Sequence, residues 1–119
     1  LNTVAPDALA KSGKRAVVSG VDGKRVFTDG KRTVEVYHID GSVHAAGFNM
    51  VYLPAEKLLV EADAYTPGAP NTPTPAIIND NHKVLVANMD RLKLNVERIL
   101  PLHGRVVPVS ELYTAVGRK

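Results

Sequence analysis

The stretch GSVHAAGFNMVYLPAEKLLVEAD, Gly41 to Asp63, decides how this chain folds. Two runs within it, Phe48–Leu53 and Lys57–Ala62, are rich in the aliphatic and aromatic residues that favour strands. Only the Pro-Ala-Glu sequence at 54–56 separates them, which is the length and composition of a tight turn. The stretch therefore predicts an antiparallel β-hairpin.

The predicted hairpin brings two potential metal ligands to its open end. His44 comes just before the first strand and Asp63 just after the second, so antiparallel pairing puts both at the same mouth. An imidazole and a carboxylate that converge there can bind Zn²⁺ or an iron ion. His103 follows a further predicted strand, Arg98–Leu102, and precedes Gly104, which allows a sharp turn. If that strand joins the same sheet, it brings a third ligand to this rim.

The remaining elements complete an α+β fold over residues 1–119, with a mainly antiparallel sheet and helices packed on one face. Apolar residues at steps of four and three predict the longest helix, over Asn79–Val96. A proline-rich loop covers residues 64–78. The other predicted elements are a helix over residues 1–13, strands at Arg15–Ser19, Lys24–Thr28 and Thr33–Ile39, and a short last helix with Ser110 as its N-cap.

Composition excludes several function classes. The chain has 119 residues, of which 45% are hydrophobic, and it has no cysteine, so a disulfide framework and a thiolate zinc site are ruled out. Its net charge of +3 comes from dispersed lysines and arginines, which argues against a nucleic-acid partner. No apolar run approaches the ~18 residues of a membrane span, so no membrane association is predicted. The sequence opens at Leu1, and any targeting segment would lie upstream of it, so the localisation stays open between periplasmic or secreted and cytoplasmic.

Other polar residues are weaker candidates. His38 lies within a strand and is expected to be structural or exposed, whereas His82 lies at a helix start and is expected to be solvated or to neighbour the helix cap. Tyr65 and Asn71 flank the predicted mouth and could line a substrate pocket. Ser110 has no histidine or acid at a spacing typical of a catalytic triad, which argues against a serine hydrolase.

Two segments resemble the metallo-β-lactamase superfamily. The stretch Gly41–Asp63 is similar to its pattern of a histidine loop, a VYLP strand, a tight turn and a strand that ends in aspartate. The segment RILPLHG, Arg98–Gly104, resembles the last ligand motif of that superfamily, a strand ending in Pro-x-His-Gly. The resemblance covers residues 33–110.

The resemblance implies a role for each candidate ligand. His44 would bind the first zinc ion of a binuclear centre, Asp63 would bridge the two ions, and His103 would bind the second. It also implies a small-molecule substrate that is attacked by a metal-bound hydroxide. No catalytic side chain beyond these three ligands is predicted.

One departure limits what the chain does alone. The H-x-H-x-D-H motif that supplies most ligands in this superfamily is absent, and Val43 and Ala62 replace two of its glycines. We therefore expect a fragment, the C-terminal half of an αββα sandwich, that is inactive by itself. Its inner sheet face would be covered by the missing N-terminal half or by a second copy in a homodimer. The alternative is a small α+β binding or structural module whose histidines are incidental.

Overall fold

The computed structural model describes residues 4–118, and they form three helices and six strands. The strands are β1 (Lys24–Thr28), β2 (Thr33–His38), β3 (Asn49–Leu53), β4 (Leu58–Glu61), β5 (Arg98–Pro101) and β6 (Val107–Pro108). The helices are α1 (Ala8–Ser12), α2 (Asp80–Arg91) and α3 (Val109–Ala115). None of the helices in this described part is long and apolar enough to cross a membrane.

All six strands form one open sheet in which the spatial order follows the chain order, β1 to β6. Four of the five pairings are antiparallel, and only β4 and β5 run parallel. The parallel pair is possible because a loop and α2 return the chain across the sheet between the two strands. The predicted α+β class with a mainly antiparallel sheet is confirmed.

The hairpin of β3 and β4 forms as the sequence predicts. Val51 pairs with Val60 and Leu53 with Leu58, so the chain reverses through residues 54–57. Lys57 closes the turn in the left-handed region, with φ of 48°. The amides of both Glu97 and Arg98 donate to its carbonyl, which docks the start of β5 beside the turn.

One face of the sheet carries the hydrophobic core. Alternation along each strand points every second side chain toward this face. Its fully buried members from the sheet are Met50, Leu59, Ile99 and Val107, and α2 and α3 cover them with Leu85, Met89 and Leu112. Helix α1 buries no residue and lies outside this core.

The opposite face is apolar but uncovered. It follows from the strand pairings that the intervening side chains share this face, among them Val36 and its partner Val51. None of these side chains is fully buried. The apolar members are Phe27, Val34, Val36, Val51, Leu53, Leu58, Val60 and Leu100. We call this set the bare face.

Asn88 fastens α2 to the loop between β2 and β3. Its side chain is buried, and its Oδ1 accepts a 2.9 Å hydrogen bond from the Asp40 amide. Its Nδ2 donates to the carbonyl oxygens of Asp40 and Val84, both at 2.9 Å. Arg91 adds a 3.0 Å ion pair with the Asp40 carboxylate. The start of the loop that carries His44 is therefore fixed to the helix.

Three local predictions are wrong. No strand forms at Arg15–Ser19: these residues are exposed, and none of the six strands pairs with them. The long helix ends at Arg91 because Lys93 turns into the left-handed region, with φ of 53°. Ser110 is not an N-cap, since α3 begins at Val109 after Pro108 and has no side-chain cap.

The predicted first helix is shorter in the structure. Asp7 accepts a hydrogen bond from the Ala10 amide and caps α1, and Gly13 ends it in the left-handed conformation. Residues 1–3 of the predicted range lie outside the described residues. The predicted apolar stripe of the long helix is only partly helical. Leu85 and Met89 belong to α2, whereas Val96 is buried beyond the end of α2.

We predict that Asn88→Ala lowers the free energy of unfolding by about 2 kcal/mol, because the two backbone groups of Asp40 lose their partners. Urea denaturation measures this change, and hydrogen exchange of the Asp40 amide reports its location. Lys83→Ala on the exposed side of α2 is the control and should cost under about 0.5 kcal/mol. Equal stability of the Asn88 variant and this control would contradict the assigned role.

Candidate metal centre

The pairing of the middle strands gathers three chain segments at one rim of the sheet. Because β3 and β4 are antiparallel, the start of β3 lies beside the end of β4. Because β4 and β5 are parallel, their ends also coincide, with Glu61 opposite Pro101. His44, Asp63 and His103 follow or precede these strand ends by two to five residues.

The structure brings these three side chains together around the carboxylate of Asp63. Its Oδ2 lies 3.3 Å from Nε2 of His44, and its Oδ1 lies 3.2 Å from Nδ1 of His103. Each carboxylate oxygen thus faces a different imidazole. The cluster is open to solvent, since the side chain of Asp63 is 35% exposed and both imidazoles are more exposed.

The loop that carries His44 is shaped by its own side chains. The Ser42 hydroxyl accepts hydrogen bonds from the amides of His44 and Ala45, both at 3.3 Å. The Phe48 ring lies 5.2 Å from the His44 imidazole, centre to centre, at a tilt of 51°. These contacts turn the imidazole back toward the sheet rim, where Asp63 lies.

The loop that carries His103 packs closely on the proline-rich segment. A Cβ atom at Gly104 would lie 3.0 Å from Cδ of Pro67, which is too close for a normal contact. The φ angle of Gly104 is not positive, so glycine is favoured here by the limited space rather than by a left-handed turn. This close approach keeps the loops after β4 and β5 against each other.

Glu61 is a residue of this region that the sequence prediction missed. It is 3% exposed, and its Oε2 accepts hydrogen bonds from the amides of Ala64 and Tyr65, at 2.8 and 3.0 Å. Burial raises the pKa of Glu61 to about 7, while the two amide hydrogen bonds oppose that shift. The signal that was missed is the alternation of side chains along a strand, which puts Glu61 on the same buried face as Leu59.

A cleft of about 690 Å³ lies between the proline-rich loop and α3. Arg105 spans it: its guanidinium pairs with Glu111 and donates to the carbonyl oxygen of Gly68. Tyr65 and Asn71, which the sequence marked as pocket residues, both line this cleft. None of the three cluster residues lines the cleft, but Tyr65 and Arg105 follow Asp63 and His103 by two positions in the chain.

The other histidines do not join the cluster. Nε2 of His38, at the end of β2, lies 3.9 Å from a carboxylate oxygen of Asp40 rather than of Asp63. His82 is half-buried rather than solvated, and its ring meets that of Tyr65 edge-on at 4.9 Å between centres. Ser110 lines the cleft.

The donor set suits zinc but is incomplete. Imidazole nitrogen and carboxylate oxygen are usual zinc ligands, and a structural zinc ion takes four of them. Among residues 4–118 no group of three or more histidine, aspartate or glutamate side chains is arranged to hold an ion. One carboxylate oxygen of Asp63 lies next to the His44 imidazole, and the other lies next to the His103 imidazole, so each pair provides two donor atoms.

Solved structures with the metallo-β-lactamase fold match the fold of this chain. A metallo-β-lactamase from Pontibacter korlensis has a TM-score of 0.59 and 19% identity, over 93% of this chain and 54% of that one. A metallo-β-lactamase superfamily protein from Sulfolobus tokodaii has a TM-score of 0.58 and 18% identity, over 82% and 37%. Rubredoxin oxygen:oxidoreductase from Desulfovibrio gigas has a TM-score of 0.61 and 17% identity, over 92% and 33%.

At these identities the likeness concerns the fold. The described chain shares the metallo-β-lactamase fold and resembles hydrolases of that superfamily. It spans about half the length of the metallo-β-lactamases that it matches. No protein-family model and no curated protein sequence matches the chain.

We predict that His82 makes stability depend on pH. Burial lowers the pKa of its imidazole below the ordinary value of 6.5, so protons bind the unfolded chain more readily. The stability that the neutral His82 imidazole contributes is fully present above about pH 6.5 and is lost as the pH falls through the folded-state pKa. Urea denaturation from about pH 8 to about pH 5 measures it as the difference between wild type and His82→Gln. This subtraction cancels the other titrating groups, and a difference that is constant with pH would contradict the prediction.

Proposed function

We propose that this chain contributes His44, Asp63 and His103 to the binuclear zinc centre of a metallo-β-lactamase-like hydrolase. The observation that carries the proposal is that the two oxygens of the Asp63 carboxylate face two different imidazoles, at 3.2 and 3.3 Å. A carboxylate that bridges two metal ions needs its two oxygens to face different ions in this way. A carboxylate that serves only as an ion-pair partner for one histidine does not.

In this proposal the three side chains bind and orient. Asp63 presents one oxygen to each ion, while His44 and His103 approach from the loops before β3 and after β5. Bound zinc would supply a hydroxide at neutral pH and stabilise the negative charge that develops on the substrate. The remaining donors would come from outside these residues, as an H-x-H-x-D-H motif in a longer protein.

The substrate is proposed only as a small molecule. The fold also occurs in a sec-alkylsulfatase from Pseudomonas sp. and in the oxidoreductase of Desulfovibrio gigas, so architecture does not select the reaction. We propose the cleft lined by Tyr65 and Arg105 as the substrate surface, because these two residues follow Asp63 and His103 by two positions in the chain. Its lining includes both polar and apolar groups.

We predict that the chain binds Zn²⁺ and that His44→Ala or Asp63→Ala weakens binding by at least about tenfold, about 1.4 kcal/mol, because each removes a donor. Titration calorimetry with zinc measures the affinities. His38→Ala is the matched control, since it also removes a histidine near an aspartate but lies outside the cluster. Its affinity should equal that of the wild type.

Two results would count against the zinc centre. The first is zinc binding that the His44 and Asp63 variants leave unchanged. The second is a coding sequence upstream of Leu1 without an H-x-H-x-D-H motif, because the chain alone provides too few donors. Either result favours the alternative, a small α+β binding or structural module in which the histidines pair with Asp63 and do no metal chemistry.

We also propose a partner for the bare face, which carries eight apolar side chains and no covering layer among residues 4–118. In the longer protein the partner would be the sheet of the N-terminal half. In the isolated chain it would be the same face of a second copy, related by a two-fold axis. Covering about 400 Å² of apolar surface contributes about 10 kcal/mol, comparable to the stability of a whole domain.

We predict that the isolated chain is a dimer and that Val36→Lys shifts it to monomer, because the charge would be buried in the contact. Analytical ultracentrifugation measures the mass, and circular dichroism checks the fold. Val26→Lys is the control: Val26 is 48% exposed and lies on the opposite side of the sheet, so the dimer should persist. A stable wild-type monomer at low concentration would contradict the prediction.

A further inference from the structure

Glu61 occupies an unusual position for a carboxylate. It is the last residue of β4 and lies on the core face of the sheet, where it is 3% exposed. A buried charge or acid needs polar partners, and here they come from the two residues that follow Asp63. The amides of Ala64 and Tyr65 both donate to Oε2 of Glu61, at 2.8 and 3.0 Å.

These two hydrogen bonds shape the turn that carries Asp63. With Glu61 on one side and the amides of Ala64 and Tyr65 on the other, the backbone bends around a single carboxylate oxygen. Asp63 lies inside this bend, so its direction depends on the bend. Tyr65 is itself 3% exposed and is anchored in the core, which holds the far end of the turn.

The main chain of Glu61 reaches the other ligand-bearing loop. Its carbonyl oxygen accepts a 2.9 Å hydrogen bond from the Leu102 amide, the residue directly before His103. One residue therefore holds the turn of Asp63 through its side chain and the approach to His103 through its backbone. The separation of Asp63 Oδ1 and His103 Nδ1, 3.2 Å, depends on both contacts.

We propose that Glu61 is a positioning residue, which sets the direction of the Asp63 carboxylate so that its two oxygens face His44 and His103. This inference rests on the proposed zinc centre for its functional meaning, although its geometry stands without a metal ion. The side chain of Glu61 acts through Asp63, because its hydrogen bonds go to the Ala64 and Tyr65 amides and reach neither imidazole.

The first test needs no metal. Nitrogen chemical shifts of the His44 and His103 rings, measured by NMR, report whether each ring faces Asp63, and Asp63→Asn supplies the reference for lost pairing. Glu61→Leu removes the acceptor, so both rings should move toward the Asp63→Asn values, and the Ala64 and Tyr65 amides should exchange at least about tenfold faster. Glu61→Gln retains an acceptor oxygen and should keep the wild-type shifts.

A matched control separates positioning from general stability. Tyr52→Phe removes a different hydrogen bond of the same sheet, from the Tyr52 hydroxyl to the Asn95 carbonyl at 2.9 Å, and should leave both rings unchanged. If Glu61→Leu does not fold, Glu61→Asp replaces it, since the shorter side chain withdraws the carboxylate from the amides. Wild-type ring shifts in the folded Leu or Asp variant would overturn the proposal.

Zinc titration then distinguishes the two proposals. Loss of the acceptor should weaken zinc binding by about 10- to 100-fold, the usual effect of disturbing a group that orients a ligand, and Glu61→Gln should restore most of it. If the wild-type chain binds no zinc but Glu61→Leu still changes the ring shifts of His44 and His103, the zinc centre is rejected and the positioning role is supported. Zinc binding of wild-type strength in Glu61→Leu would overturn the positioning role and keep the zinc centre.

Discussion

The position of β4 between an antiparallel and a parallel neighbour is the constraint on which the candidate site depends. An antiparallel pair places the end of one strand beside the start of the other, whereas a parallel pair places the two ends side by side. Only a strand with one neighbour of each kind brings the start of β3, the end of β4 and the end of β5 to one rim. The cluster of two imidazoles and a carboxylate follows from that arrangement, since each side chain needs only a short loop to reach it.

Half of this constraint could be read from the sequence. The turn at 54–56 and the alternating residues around it predict the hairpin, and the hairpin predicts that His44 and Asp63 meet. The parallel pairing of β4 with β5 joins residues 40 positions apart, such as Leu59 and Ile99, and no local pattern encodes it. The place of His103 therefore depended on the resemblance, and the structure supplies the physical reason for it.

The wrong predictions share a physical cause, because local composition does not specify tertiary partners. Val17 and Val18 have the side chains of a strand, but they remain 94% and 90% exposed and join no strand of the sheet. Val96 fits the helical stripe and is buried, yet the helix has already ended at Arg91. Glu61 was overlooked for the opposite reason, since a charged residue on a core face is meaningful only when its partners are known.

The two faces of the sheet connect the proposed centre with the proposed partner. The core face is closed by α2 and α3, and Glu61 stabilises the rim from that side. The bare face lies on the other side of the same rim, so a sheet that covered it would bring its own strand ends close to Asp63. The surface that lacks a layer and the cluster that lacks donors thus adjoin each other, and a single additional sheet layer would complete both. A second copy would cover the apolar surface but would bring only the same three side chains, related by the two-fold axis. For this reason a dimer would solve the packing problem of the isolated chain without completing its chemistry.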